Sequence, residues 1–564
     1  MIKNYKSDLN NISSECLSTL TLLSFNKITV DQNTIVHFKG VPFYEEKLVD
    51  LSAEKSSFFW NKLSNLSAEN IEEFSLKMQG SFAFVIETKD RIILLSDYIR
   101  TFPMFYSVSE KKILLSDKLN LFSEYKIKSD NVSNLVTSGY VFGNETIYDN
   151  VNSTQAAELI IIDKDSATIE ACRYFRFVPK DNLSSISVDS FVNEYNKILE
   201  RIMKRIILSA PNCNKWVIPL SGGHDSRQLI NILVKLGIKN VICYTYGKLN
   251  NHQAVLSKKV ADAVGYDWHF VEYSEEKWFE LHQNGLIDTY LDDSYQGNSI
   301  PHFQDFLAVY ELKNKGVITE DDVIMPGHTL DMISGGHLNE LDLVCSDRQG
   351  ALKRSSLRHG KCKELSVNKL YANYRTLSTI YDEINSSAVQ FQEYINWQER
   401  QSKFIVNSCR IYEFFEIEFR LPFWEKEIME LFLSLPVEQR IERKFYLSTE
   451  RQGILIDCLA KIPFEDETNK KPSKISLKQR LLTKTPSIVK ALLSRLVRSK
   501  NYEAESLNQI FALKGNTVED VVGSLKLFPK DTHAFLKPLL LRYTHRTSNE
   551  LLTGLYAVSR IIKK

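Results

Sequence analysis

Apolar and polar positions alternate over short distances in the first 178 residues, a pattern typical of β-strands with one buried face. Polar turns separate the alternating runs. The clearest runs lie at 34–38, 80–86, 91–96 and 157–162. Helical spacing is weaker here and predicts short helices near 45–55 and 66–78. The pattern therefore predicts a sandwich of β-sheets with a few helical pieces.

Beyond a polar linker at about 179–190, the pattern changes to long helices alternating with short apolar strands. A helix is predicted at about 189–208. The predicted elements that follow are a strand at 216–220, a helix at 225–236, a strand at 240–247, a helix at 252–264 and a strand at 267–272. Alternation of strand and helix predicts a doubly wound parallel sheet, in which ligands bind outside the carboxyl ends of the strands.

The strand that ends at Leu220 runs directly into Ser221-Gly222-Gly223, and a helix begins at once with Asp225 and Ser226. Adjacent glycines let backbone N–H groups approach a polyphosphate, and the positive end of the helix dipole points at it. The two serine hydroxyls add donors. Asp225 would repel a bare phosphate, so its natural partner is Mg²⁺. An ordinary turn stays the alternative, and the Lys-Ser/Thr ending of a Walker A loop is absent.

A second apolar strand, 323–325, runs into Gly327 and Asp331. Carboxylates that follow two strands of one parallel sheet can meet at its edge, so Asp225 and Asp331 are predicted to hold Mg²⁺ and pyrophosphate together. Tyr244, Tyr246 and Gly247 end the neighbouring strand, where adenine can lie. Half-buried strand tyrosines are the alternative. The predicted ATP-binding residues are Leu220, Ser221, Gly222, Gly223, Asp225, Ser226, Tyr244, Tyr246, Gly247 and Gly327.

Composition narrows the function classes. The 71 basic and 70 acidic residues of this 564-residue chain give a net charge of +1, which does not favour a nucleic-acid partner. Eight cysteines show no Cys-x-x-Cys spacing, so neither a zinc site nor a disulfide framework is expected. No signal-peptide pattern or membrane-spanning segment is evident, and a cytoplasmic location is expected.

Three ordered motifs carry a resemblance. The segment 221–226 resembles the Ser-Gly-Gly-x-Asp-Ser loop of enzymes that split ATP into AMP and pyrophosphate. The segment 323–337 is similar to the Ser-Gly-Glu-Gly-x-Asp-Glu-x-x-Gly-Gly motif of asparagine synthetases, and 416–425 resembles their Glu-x-Arg-x-Pro-Phe-Leu-Asp motif. The segments 80–84, 96–106 and 114–117 look like landmarks of the glutaminase domain of the same family.

This resemblance to the asparagine synthetases and β-lactam synthetases covers roughly 75–475. It implies an α/β protein with an N-terminal α+β sandwich of the N-terminal-nucleophile-hydrolase type over 1–178. It also implies an ATP-pyrophosphatase synthetase domain over 190–475 and a helical extension over 476–564 that packs on the synthetase domain. The family's glutaminase uses a cysteine exposed by removal of Met1, whereas this chain has Ile2 there and its first cysteine is Cys16. We therefore expect a degenerate domain that does not hydrolyse glutamine.

The resemblance also implies catalytic roles. His328 stands where asparagine synthetases have Glu and related lactam-forming enzymes have a Tyr that is paired with Glu. A histidine suits deprotonation of an attacking amine. Glu418 matches the carboxylate that orients the base, with a bridging or capping role as the alternative. Lys470 or Lys471 occupies the region of the family's polyphosphate-binding lysine, and the choice between them stays open.

The sequence thus predicts an ATP- and Mg²⁺-dependent carbon–nitrogen ligase that adenylates a substrate carboxylate, releases pyrophosphate and AMP, and forms an amide with ammonia or a substrate amine. By resemblance, the carboxylate belongs to a sugar uronic acid, a peptide closed into a macrolactam, a β-lactam precursor or aspartate. The sequence leaves open whether the chain forms a homodimer. The alternatives are a catalytically degenerate nucleotide-binding scaffold and a tRNA-modifying ATP pyrophosphatase.

Overall fold

The structure is a computed structural model. It describes residues 17–52, 57–109, 112–180, 183–249, 251–294, 297–344, 347–359, 372–384, 386–468 and 556–558. Cys16, Lys470 and Lys471 lie outside the described residues, as does the predicted helical extension apart from 556–558.

Residues 17–173 form two β-sheets, in agreement with the alternating pattern. Their strands are β1 (Leu17–Thr21), β2 (Asn26–Asp31), β3 (Thr34–Tyr44), β4 (Lys47–Leu48), β5 (Met78–Glu87), β6 (Arg91–Ser96), β7 (Phe105–Ser109), β8 (Lys112–Ser116), β9 (Asn152–Ser153), β10 (Glu158–Asp163) and β11 (Ile169–Arg173). The larger sheet has the order β11-β10-β6-β5-β3-β2, with β4 paired to β3, and the smaller has the order β1-β8-β7-β9. The helices of this region are α1 (Ser57–Ser64), α2 (Ile71–Leu76) and α3 (Ser129–Ser138).

The prediction of a helix near 45–55 is wrong. Glu45 and Glu46 adopt left-handed backbone conformations, with φ of 49° and 65°. They form the turn of a hairpin in which β4 pairs antiparallel with the end of β3. An α-helix cannot begin through two left-handed residues. The second predicted helix, near 66–78, contains the shorter helix α2.

Beyond residue 187 the chain forms a five-stranded, wholly parallel sheet, which confirms the predicted α/β class. Its strands are β12 (Trp216–Pro219), β13 (Val241–Gly247), β14 (Asp267–Glu272), β15 (Val323–Ile324) and β16 (Glu418–Phe419). The helices are α4 (Val188–Leu208), α5 (Asp225–Lys235), α6 (His252–Val264), α7 (Glu275–Gln283), α8 (Leu286–Ser294), α9 (Phe306–Asn314), α10 (Leu330–Ile333), α11 (Glu340–Val344), α12 (Arg348–His359), α13 (Ala372–Ile384), α14 (Ala388–Ile395), α15 (Arg410–Phe414), α16 (Lys426–Leu433), α17 (Val437–Arg440), α18 (Lys444–Thr449), α19 (Asp457–Ala460) and α20 (Glu465–Thr468).

The strand order β14-β13-β12-β15-β16 reverses its direction of growth at β12. The chain proceeds outward from β12 to β13 and β14 on one side, and then crosses to β15 and β16 on the other. Loops that leave the carboxyl ends of β12 and its two neighbours diverge at such a switch point and open a crevice between them. The fold therefore places the loop after β12 beside the loop after β15.

A long, almost entirely buried helical stretch runs behind this crevice. It begins as α14, continues as a π-helix at Asn396–Ile405 and a 3-10 turn at Val406–Cys409, and ends as α15. Wide π turns are frequent at functional sites because they shift the side chains that follow. Here they precede Ser408 and Tyr412, which both reach the crevice.

Buried polar contacts join the N-terminal region to helices and loops that surround the parallel sheet. Arg205 of α4 donates to Glu425 at 3.0 Å, and Glu425 also accepts from the backbone N–H of Gly80 at 3.1 Å. Arg100 donates to Asn298 at 3.1 Å. Buried charges are costly unless they are paired or hydrogen-bonded, so these contacts favour one arrangement of the two parts. Within the part of the chain that is described, no helix has the length and apolar character needed to cross a membrane.

Candidate active site

Side-chain hydroxyls fold the loop after β12 back on itself. The backbone N–H of Ser221 donates to Ser226 Oγ at 3.1 Å, and the N–H of Gly223 donates to Ser221 Oγ at 3.2 Å. The loop ends at the first turn of α5, an 11-residue helix whose dipole adds positive potential there. This compact loop at a helix N-terminus has the architecture of an anion site.

His224, at the start of α5, is held on two sides. Its Nδ1 lies 2.6 Å from Glu450 Oε2, and its ring stacks on Phe464 at a centroid distance of 3.9 Å. Glu450 also accepts from Gln228 at 3.0 Å. These contacts tie the Ser221–Ser226 loop, here named the phosphate loop for its predicted role, to the segment 450–466.

The loop after β15 presses directly on the phosphate loop. A Cβ added to Gly327 would lie 2.7 Å from the backbone N and Cα of Ser226, closer than real contacts allow. Two residues later, Thr329 has φ of 94°, a left-handed conformation that is unfavourable for a β-branched residue. Such strain persists only where the surroundings impose it and is common at functional sites.

This close approach brings the two predicted metal ligands together. The backbone N–H of Asp331 donates to Asp225 Oδ2 at 2.8 Å. Arg443 bridges both side chains, with its Nε 3.1 Å from Asp331 Oδ1 and its Nη1 3.9 Å from Asp225 Oδ1. Burial, and then repulsion by Asp331, raise the pKa of Asp225 to about 7. The arrangement holds like charges together and offsets them with a single guanidinium.

A cavity of about 590 Å³ lies over the two loops. Seven of the predicted site residues line it: Ser221, Gly223, Asp225, Ser226, Tyr246, Gly327 and His328. Leu220 and Tyr244 are buried behind the wall, and the Tyr244 hydroxyl donates to Asp305 at 2.7 Å. Tyr244 therefore contacts Asp305 from behind the wall and does not itself line the cavity. Gly222 packs against Leu256, and Gly247 follows Tyr246 at the end of β13.

His328 enters the cavity wall next to Ser408. Its Nε2 lies 3.3 Å from Ser408 Oγ, and its buried Nδ1 has no hydrogen-bond partner on another described residue. Burial lowers the pKa of His328 to about 4. The imidazole is therefore neutral near pH 7 and keeps one nitrogen lone pair.

The predicted pairing of Glu418 with His328 is not formed. Glu418 lies opposite Val323, at the start of the short β15–β16 pair, whereas His328 follows the carboxyl end of β15. Its side chain is 64% exposed and accepts from Arg420 at 2.8 Å. Parallel strands start at the same edge of a sheet, so a residue at the start of β16 is directed away from the loops that follow β15. Glu418 thus forms a local ion pair with Arg420.

Further residues of the cavity have no sequence motif. They are His302, Gln304, Asp305, Ser408, Tyr412, Arg443, Glu465 and Asp466. They come from a loop before α9, from the long helical stretch and from two short segments near the end of the described chain. No local pattern marks them, because only the folded chain brings these distant segments together.

A model of the asparagine synthase family matches residues 216–512, more than half of the chain. The chain belongs to the asparagine synthase family. Membership indicates an ATP-dependent ligase of the amidotransferase type. The comparison with curated proteins gave no significant match.

Several solved structures are similar to parts of this asparagine synthase family member. The NH3-dependent NAD synthetase from Campylobacter jejuni subsp. jejuni is 12% identical, covers 36% of this chain and 78% of its own, and has a TM-score of 0.19. The NMN synthetase from Francisella tularensis is 13% identical over 41% of this chain and 93% of its own, with a TM-score of 0.19. The glutamine phosphoribosylpyrophosphate amidotransferase from B. subtilis is 10% identical over 44% and 73%, with a TM-score of 0.18.

The contact at Gly327 yields a stability prediction. Gly327→Ala forces backbone against backbone, because the new Cβ meets Ser226 N and Cα at 2.7 Å. We expect the free energy of unfolding to fall by about 1–3 kcal/mol, the usual cost of overpacking. Gly223→Ala is the matched comparison, since its Cβ would meet only the end of the Ser221 side chain, at 3.3 Å. Urea unfolding of both variants measures the difference, and equal stability would contradict the proposed loop contact.

Proposed function

We propose that this protein activates a substrate carboxylate with ATP, releasing pyrophosphate, and transfers the acyl group from AMP to a nitrogen nucleophile. The observation that carries the proposal is the union of Asp225 and Asp331 at the phosphate loop, joined by a 2.8 Å hydrogen bond. The adjoining cavity of about 590 Å³ is of the size that binds a small-molecule ligand.

Magnesium fits this site. Mg²⁺ takes one or two protein carboxylates and completes its octahedral shell with water and phosphate oxygens. Within the described residues there is no cluster of three or more His, Cys, Asp or Glu suited to a metal, so a fully protein-made cage is not the model. Asp225 and Asp331 would hold the ion, and the Arg443 guanidinium between them already marks a position of favourable positive charge. Bound Mg²⁺ supplies charge neutralisation for the polyphosphate.

The chain's own residues account for the rest of the adenylation step. Ser221, Gly223 and Ser226 present donors at the N-terminus of α5, where a leaving pyrophosphate is stabilised. Arg443 adds a cation at the same edge. Tyr246 offers an aromatic wall to the nucleotide or the acid. Catalysis of this kind consists mainly of positioning and charge compensation.

His328 suits the amide-forming half of the reaction. If Nε2 donates its hydrogen to Ser408 Oγ, Nδ1 carries the lone pair that accepts a proton from the nucleophile. Ser408 would thus replace Glu418 as the group that fixes the ring. A base next to the acyl group favours a true amine, and ammonia remains the other nitrogen source within this proposal.

We further propose that the N-terminal region, 1–178, does not hydrolyse glutamine. In its described part, Cys172 is the available thiol, and burial raises its pKa above the ordinary value, which disfavours the reactive thiolate. The boundaries 190–475 for the synthetase domain and 476–564 for a helical extension belong to the same proposal.

The variant Asp225→Asn tests the adenylation site. Loss of a carboxylate that positions Mg²⁺ and pyrophosphate should lower pyrophosphate–ATP exchange by roughly 100-fold or more. Asp267→Asn is the matched control, because Asp267 is exposed and opens β14 at the opposite edge of the sheet. Full exchange by Asp225→Asn, with any acid that supports exchange in the wild type, would remove Asp225 from the mechanism.

The variant His328→Ala separates the two half-reactions. Pyrophosphate–ATP exchange should persist in this variant. The rate of amide formation should fall by about 10²–10⁴-fold, the range for loss of a general base. Because the pKa of His328 lies near 4, its neutral form persists as the pH falls from 8 to 6. Amide formation by the wild type should therefore lack an acidic limb from His328 in that range. Equal loss of exchange and amide formation in His328→Ala would contradict the assignment.

A further inference from the structure

Asp305, at the start of α9, is a buried carboxylate in the cavity wall. Asp305 is only 6% exposed to solvent. Oδ2 accepts hydrogen bonds from the hydroxyls of Tyr244 and Tyr412, both at 2.7 Å. Oδ1 is itself buried and forms no direct hydrogen bond among the described residues, while the Tyr246 hydroxyl is a third group that stabilises the carboxylate. One oxygen is thus anchored by two hydroxyls, while the other lies inside the cavity wall without a direct partner.

This carboxylate also lacks a cation. Elsewhere in the described chain, buried Glu393 is paired with Arg440 and buried Glu399 with Lys403. Asp97 is compensated differently, by three backbone N–H donors, and does not line the cavity. No Lys, Arg or His of the described residues forms an ion pair with Asp305, and burial raises the pKa of its carboxyl. A buried carboxylate is costly without a charged or fully hydrogen-bonded partner.

Aromatic rings surround the same part of the cavity. Tyr246 and Tyr412 line it, and the Tyr246 ring stacks on Tyr273 at a centroid distance of 5.0 Å. Ring faces attract organic cations, and hydroxyls together with a carboxylate satisfy the hydrogens of an ammonium group. The rings are less suited to a hard metal ion, which prefers a shell of oxygen ligands.

We propose that Asp305 and its tyrosines form a subsite for a protonated amino group on one of the enzyme's substrates. The inference rests on the proposed ligase function for its context and narrows the substrate class to amino-bearing compounds. The ammonium group belongs either to the nitrogen nucleophile before it is deprotonated or to an amino acid whose carboxylate is activated. Asp305 binds and positions this group, whereas His328 lies in another part of the same cavity wall.

A direct binding measurement tests the subsite without requiring the reaction. The probes are n-butylammonium and the uncharged n-butanol. Their binding to the full-length protein is measured by saturation-transfer NMR at pH 7. Asp305→Asn keeps the size and polarity of the side chain and should weaken n-butylammonium binding about tenfold, in line with the loss of a charged hydrogen bond. Binding of n-butanol should not change.

Asp225→Asn is the matched control, because it removes a different carboxylate that lines the cavity, at the phosphate loop. It should leave n-butylammonium binding unchanged. Equal binding by wild type and Asp305→Asn, or loss in Asp225→Asn alone, would overturn the proposal. If Asp305→Asn fails to fold by circular dichroism, the wild type decides: with saturating Mg-ATP it should prefer n-butylammonium over n-butanol about tenfold, and lack of preference would overturn the subsite.

The ammonium group belongs either to the activated acid or to the nucleophile. Pyrophosphate exchange with L-aspartate and with succinate, which differ by one amino group, distinguishes these two cases. Preference for L-aspartate that Asp305→Asn abolishes would place the ammonium on the activated acid. Exchange unaffected by Asp305→Asn, with loss only of amide formation, would place it on the nucleophile. Absence of exchange with every acid would count against the proposed ligase function and leave the n-butylammonium result standing.

Discussion

The candidate site depends on the close packing of two loops at the switch point of the parallel sheet. Gly327 lies against the backbone of Ser226 with no room for a side chain. That contact sets the separation of Asp225 and Asp331, and the 2.8 Å hydrogen bond between them follows from it. The left-handed backbone of Thr329, with φ of 94°, lies in the same loop. The cavity, the carboxylate pair and the position of His328 all derive from this meeting of two strand ends.

Charge is distributed unevenly around the cavity. Asp225, Glu465 and Asp466 lie near the phosphate loop, where Arg443 is the nearby guanidinium, and Asp305 lies against tyrosines. An acidic cavity around an anion-binding loop makes sense when cations enter with the ligands. A divalent ion that binds with the nucleotide would neutralise the carboxylates near the phosphate loop. An ammonium group would neutralise Asp305. The proposed chemistry and the proposed subsite thus follow from a single imbalance of charge.

Much of the fold was predictable because its signals are local. Apolar and polar residues alternate in the N-terminal region, and the change to a succession of strands and helices predicted the parallel sheet. The Ser221–Ser226 motif predicted which edge of that sheet carries the site. The prediction of a helix near 45–55 was wrong because hydrophobic spacing does not reveal the left-handed conformations of Glu45 and Glu46. The pairing of His328 with Glu418 failed because spacing does not reveal which end of a two-residue strand a side chain occupies. Asp305 and Arg443 were invisible because only tertiary packing gives them neighbours in the site.

The central claim is that the paired loops bind the pyrophosphate of ATP so that it leaves as one unit. The most direct test incubates the full-length protein with Mg²⁺, γ-labelled ATP, a panel of carboxylic acids including L-aspartate, and an amine, and then identifies the labelled product. The account predicts labelled pyrophosphate together with AMP for at least one acid, and loss of both in Asp225→Asn. Labelled orthophosphate together with ADP would contradict it, because cleavage at the γ-phosphate is not the reaction that this site is built to assist.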